Sequence, residues 1–184
     1  MIQTFIERYK VDHEVCDGLI EYFEENVEYK NQGQVGNGEI DKKVKDSTDV
    51  VFWTGSNDIR IQNFFKALNS IIATYGKKYG IKDGMRTSLN NNIQYYKPKG
   101  GYPVLHYETS YYTSYRTLVY MLYLNTVTDN GGTYFPFQDT LTNAIKGDMI
   151  LWPAYFTHPH QGVVSETQEK YICTGWFELE STWN

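Results

Sequence analysis

The chain has 184 residues, 41% of them hydrophobic, and a formal net charge of -5. It is long enough for one domain with a sizeable core, and it has no basic run to hold nucleic acid. Its two cysteines, Cys16 and Cys173, fit no CxxC or zinc-finger spacing, so reduced thiols and a cytoplasmic setting are expected, with a single disulfide as the alternative. The stretch Met1 to Arg8 has no signal-peptide core, and no run reaches the roughly 18 apolar residues of a membrane span, so no membrane partner is expected.

The first half reads as two helices and a strand. Asp12 is placed to cap a helix whose apolar face is Cys16, Leu19, Ile20, Phe23 and Val27. Residues 26–45 are polar and Gly-rich and read as a mobile loop. Asp49 to Trp53 reads as a strand. Ser56 or Asn57 then opens a second helix with Ile61, Phe64, Phe65, Leu68, Ile72 and Tyr75 on one side, and Gly76 or Gly80 stops it.

Composition changes near residue 90, where short strands punctuated by Gly and Pro begin. They are expected at 93–97, 104–108, 118–125, 133–135, 149–152, 159–163 and 170–177. The stretch 118–125 is nearly all apolar and reads as a central strand. The expected fold class is mainly β with flanking helices, a double-stranded β-helix (jelly-roll, cupin-like) core. One catalytic domain is expected over 1–184, with 1–90 as helical and strand support and 91–178 as the double-stranded β-helix core carrying the site.

The chemistry lies in the second half. His106 and Glu108 stand at i and i+2, so on a strand they share a face. Two histidines and one carboxylate form the facial ligand set of a non-haem iron(II) site, which leaves coordination positions open. His158 and His160 are both candidates for the second histidine. Lys170 follows ten residues after His160 in an otherwise apolar strand, where an inward ammonium needs an anion. No HExxH is present, and the HxH pair comes too late for the usual cupin order.

Several short motifs occur in one order. They are Tyr96, His106-x-Glu108, Tyr123-Leu124-Asn125, Gly131-Gly132-Thr133-Tyr134-Phe135-Pro136, His158-Pro159-His160-x-Gly162 and Lys170-Tyr171-x-x-x-Gly175-Trp176. Through them the chain resembles the prolyl 4-hydroxylase-like branch of the iron(II)/2-oxoglutarate-dependent dioxygenases. The resemblance covers about residues 90–178. It implies that His106, Glu108 and His160 hold Fe(II), with Glu108 where the family usually has Asp. It implies 2-oxoglutarate as co-substrate, bound by Lys170 and Tyr123, with Tyr96 and Thr174 nearby. O2 is the oxidant and ascorbate the reactivating reductant. A retained carboxylate favours hydroxylation over halogenation.

The expected reaction is hydroxylation of a C–H bond, first of a peptidyl proline. The alternatives are a free amino acid or other small-molecule substrate, a zinc or manganese enzyme of cupin type, and an inactive jelly-roll binding module. Arg116, Tyr111, Tyr112, Tyr115 and Trp176 are substrate-wall candidates, and Trp152, Phe135 and Phe177 are expected to fill the barrel. The 26–45 segment is a candidate cover for the site.

Overall fold

The computed structural model describes residues 3–36, 38–82 and 84–179. The strands in chain order are β1 (Glu7–Lys10), β2 (Asn31–Gln32), β3 (Thr48–Trp53), β4 (Met85–Thr87), β5 (Asn90–Tyr96) and β6 (Arg116–Tyr123). They continue with β7 (Thr133–Phe135), β8 (Thr140–Leu141), β9 (Asp148–Pro153), β10 (Gln161–Gly162) and β11 (Lys170–Leu179). The helices are α1 (His13–Glu25) and α2 (Ile59–Tyr79). A major antiparallel sheet runs β1-β9-β6-β11-β5-β3-β2, with β4 also paired to β11, and a minor sheet runs β10-β7-β8. This is the jelly-roll arrangement that the strand pattern suggested. No helix among the described residues is long and apolar enough to cross a membrane.

The major sheet is apolar on both faces because it is covered on both. Along β6, Leu118, Tyr120 and Leu122 join α1 and α2 in one core, while Val119, Met121 and Tyr123 join Phe135 and Trp152 in a second core inside the barrel. Phe177 packs in the helix-side core rather than the barrel, because it stands one residue from the inward Trp176 and alternation turns it away. Cys16 and Cys173 are both buried free thiols.

The helix boundaries differ from expectation for local reasons. Asp58, not Ser56 or Asn57, caps α2, its carboxylate accepting from the Arg60 backbone N–H at 2.9 Å. Such a cap contributes about 1 kcal/mol. Gly76 lies inside α2; Gly80 ends it at φ 66°, in the left-handed region that glycine enters without strain. Asp12 sits at the start of α1 but makes no capping bond with its side chain. Val27 falls beyond α1 in a 3-10 turn and is exposed, and Ile71 rather than Ile72 is buried on α2.

Two expected strands are reduced. The 104–108 segment is not a strand and contributes only an isolated bridge between His106 and His160. The strand at 159–163 shrinks to β10. The 26–45 segment is more structured than its polarity suggests, because Lys45 is buried and paired with Asp49 at 2.7 Å.

Gly175 on β11 faces the helix side, and a Cβ there would run into the Tyr120 hydroxyl and the Asn91 carboxamide, which are hydrogen-bonded and fully buried. Gly175→Ala is therefore expected to lower stability by about 1–3 kcal/mol through overpacking. Urea unfolding of the variant checks this, and an unchanged midpoint contradicts it.

Candidate metal centre

The ligand triangle is assembled by backbone pairing between the β5–β6 connection and the connection from β9 to β10. The His106 N–H donates to the His160 carbonyl at 3.0 Å, and the His160 N–H returns a bond to the His106 carbonyl at 2.8 Å. The Glu108 N–H donates to the Ala154 carbonyl at 3.0 Å. These bonds put two histidines opposite each other and the carboxylate between them, without the strand expected at 104–108. Candidate ligand atoms from His106, Glu108 and His160 all lie within 4.8 Å of one another.

Both imidazoles are oriented from behind. His106 Nδ1 lies 2.8 Å from the Val104 carbonyl, and His160 Nδ1 lies 3.0 Å from the His158 carbonyl. A carbonyl only accepts, so each Nδ1 carries a proton and each Nε2 is the atom left to face Glu108, and to bind a metal once its own proton is released. Glu108 Oε1 sits 3.6 Å from His106 Nε2 and 3.4 Å from His160 Nε2. Cis ligands about 2.1 Å from a shared ion are roughly 3 Å apart, so the donor set fits a facially bound divalent metal after a small contraction.

Burial works to raise the Glu108 carboxyl, but the bonds and charges of His106 and His160 outweigh it and hold the group well below the usual carboxylate range. The group is thus ionised, as a ligand must be. Tyr102, which carries no motif signal, stacks on His106 with ring centroids 3.9 Å apart.

His158 is not in the triangle. Its Nε2 faces the Thr4 carbonyl at 2.8 Å and its Nδ1 the neighbouring Thr157 hydroxyl at 2.9 Å, so both ring nitrogens are already used, one of them in packing the N-terminal segment.

The triangle opens into a cavity of about 1090 Å³. Lys170, at the start of β11, lines it and is buried, donating to the Gly131 carbonyl at 3.0 Å. No carboxylate pairs with it among the described residues, and burial pushes its ammonium down to about 8. The Tyr96 ring stands 5.0 Å from the ammonium, with its hydroxyl donating to Gln94 at 2.6 Å. Thr174 lines the cavity while its hydroxyl donates to the Tyr120 carbonyl at 2.9 Å.

Tyr123 behaves differently from expectation. Its hydroxyl is enclosed by the hydroxyls of Thr133 at 2.9 Å and Thr142 at 2.8 Å, and Thr133 is the member of this trio that lines the cavity. Thr133 carried no separate signal, since it was hidden inside the Gly-Gly-Thr-Tyr-Phe run.

The outer wall holds Arg116, Tyr112 and Trp176, with Gln34, Val35, Gly36 and Gly38 from the 26–45 segment. Tyr111 and Tyr115 do not line it, and Tyr111 is 90% exposed.

Residues 91–178 match the model of the 2OG-Fe(II) oxygenase superfamily. No curated protein matches in sequence. Among solved structures, a viral collagen prolyl hydroxylase from Paramecium Bursaria Chlorella virus-1, in complex with 2OG, has a TM-score of 0.72 at 19% identity, over 96% of this chain and 97% of that one. A prolyl-4-hydroxylase from Pseudomonas putida has a TM-score of 0.75 at 14% identity, covering 96% and 94%. A prolyl hydroxylase from Trichoplax adhaerens, in complex with a hypoxia inducible factor peptide fragment, has a TM-score of 0.77 at 13% identity, covering 96% and 84%. At these identities the likeness establishes the fold.

A buried ammonium without a counter-charge costs stability until a ligand neutralises it. Its folded-state value lies below its unfolded one, so the cost is full at low pH and fades as pH rises through about 8 towards 10.5. Lys170→Met is expected to stabilise the ligand-free protein by about 2–3 kcal/mol at pH 7, and by little at pH 10. Denaturant midpoints at the two pH values decide it; a variant less stable at pH 7 contradicts it.

Proposed function

We propose that the chain, whose residues 91–178 match the model of the 2OG-Fe(II) oxygenase superfamily, hydroxylates a prolyl residue within a peptide, holding Fe(II) on His106, Glu108 and His160 and 2-oxoglutarate on Lys170. One observation carries this reading. A triangle of two histidines and a carboxylate shares a cavity with a buried ammonium that has no carboxylate partner among the described residues. The first is the donor set for a metal with open positions, and the second is a site for a carboxylate at some remove from it.

Fe(II) with 2-oxoglutarate and O2 supplies the oxidant for C–H hydroxylation, with succinate and CO2 as co-products. The chain's own residues bind, orient and exclude water. Lys170 neutralises the far carboxylate of the keto acid. Tyr96 fixes the position of that ammonium by facing it with its ring, a cation–π contact. Thr133 from β7 and Thr174 from β11 add hydroxyl groups to the lining. Met121, Trp152 and Ile172 make the remaining inner wall apolar, which shields the reacting carbon from water. The positions of all these groups are set before substrate arrives, so the protein's contribution is positioning.

A peptide is favoured over a free amino acid by the size and openness of the cavity. Its volume of about 1090 Å³ lies just above the usual small-ligand range of roughly 300–1,000 Å³, before any peptide flanks are counted. The side chains of Asn90 and Asn92 stand on its wall with no hydrogen-bond partner among the described residues, two residues apart on one face of β5. Such amides suit the backbone of an extended chain, whose polar groups recur at a similar spacing of about 6–7 Å.

The test is succinate release from purified protein with Fe(II), 2-oxoglutarate and ascorbate, screened over proline-containing peptides, free proline and other free amino acids, with product mass measured. A gain of one oxygen on a peptidyl proline is the expected result. Turnover of free amino acids alone overturns the peptide reading, and a failure of Fe(II) and 2-oxoglutarate to bind overturns the ligand assignment. Lys170→Met is expected to raise the KM for 2-oxoglutarate by about 10- to 100-fold, the range for one charge-assisted hydrogen bond. In the unmodified chain, 2-oxoglutarate affinity is expected to hold below about pH 8 and to fall by up to tenfold per unit above it, as Lys170 loses its proton. An anaerobic titration series across that range measures it.

A further inference from the structure

Glu108 has two oxygens in two different settings. Oε1 faces His106 Nε2 and His160 Nε2 at 3.6 and 3.4 Å. Oε2 turns away from them, accepts a hydrogen bond from Trp176 Nε1 at 3.0 Å and lies 3.6 Å from Arg116 Nη1. The Arg116 guanidinium is itself stacked on the Trp176 ring, 3.5 Å from its centroid, and its Nη1 also reaches the Glu108 carbonyl at 3.5 Å. Indole, guanidinium and carboxylate thus form a closed set, in which each member fixes the other two.

Glutamate needs such a set more than aspartate does. It has one more rotatable bond, so its carboxylate can swing and present both oxygens to a metal. Two-oxygen ligation would take up one of the positions that a facial triad leaves open for co-substrate and oxygen. From this geometry, and resting on the metal-site reading above, we propose that Trp176 and Arg116 are positioning residues. They hold Oε2 away from the metal and so restrict Glu108 to ligation through Oε1. This assigns Trp176 and Arg116 a role other than lining the substrate path.

The proposal is tested by anaerobic titration of the full chain with Fe(II) and then 2-oxoglutarate, following the visible charge-transfer band of the chelated keto acid. The variants are Trp176→Phe, which keeps a ring for Arg116 to stack on but removes the N–H, and Glu108→Asp, alone and with Trp176→Phe. Trp176→Phe is expected to leave Fe(II) binding intact while weakening 2-oxoglutarate about tenfold, the size of one hydrogen bond to a charged group. In the Glu108→Asp background the same change is expected to cost less than about twofold, because the shorter side chain has no second arrangement to suppress.

An equal loss in both backgrounds makes Trp176 a simple wall residue and overturns the proposal, as does an unchanged 2-oxoglutarate affinity in Trp176→Phe. Arg116→Gln, measured in the same way, should give a smaller loss of the same kind; a loss that persists in full with Glu108→Asp also overturns it. If the unmodified chain gives no band at all, the ligand assignment itself has failed and the proposal falls with it. That outcome is read on the unmodified protein and is distinct from any result on the variants.

Discussion

The alternation of side chains along β11 is the constraint on which the rest depends. This strand lies between β5 and β6, and its register to both is fixed, with Thr174 opposite Asn92 on one side and Met121 on the other. Lys170, Ile172, Thr174 and Trp176 face the cavity, while Tyr171, Cys173 and Phe177 pack towards the helices. A slip of one residue would put the ammonium and the indole against α1 and α2 and send Phe177 into the cavity. The helix-side core therefore does more than stabilise the sheet. By burying one face completely it leaves the other face a single way to meet the metal triangle.

This dependence explains what could be read from the chain. Residues on central strands were legible because a period of two states which face each occupies. Lys170, Thr174 and Trp176, all on β11, stand on the one cavity. Positions set by loops were not legible in the same way. His106 and Glu108 share a face, but the bonds to His160 and Ala154 hold them rather than a strand. Asp58 won the start of α2 from Ser56 and Asn57 through a bond to Arg60 that local pattern does not rank. Tyr123 was placed on the correct face, yet its hydroxyl is taken by Thr133 and Thr142, partners 10 and 19 residues away. Such hydroxyl networks depend on tertiary contact and leave no periodic trace. Nor did composition foresee that the polar stretch before β3 would bury Lys45 and supply cavity wall.

The two lysines that line the cavity show how charge sorts ligands there. Lys45 and Lys170 are about equally buried. Lys45 is already matched, with its ammonium 2.7 Å from Asp49 Oδ2 and the other carboxylate oxygen held by the Ser47 hydroxyl at 2.7 Å. An anion arriving at Lys45 would have to displace a buried carboxylate and leave it unpaired, a loss of several kcal/mol. At Lys170 the ammonium has only the neutral Gly131 carbonyl, so an incoming carboxylate gains a full charge partner and displaces nothing charged. The same residue type is thus neutralised at one position and left open to an anion at the other. The difference lies in Asp49, which pairs across β3 and β5 with Gln94, the acceptor of the Tyr96 hydroxyl. The discrimination between the two lysines therefore follows as much from the neutralised one as from the free one.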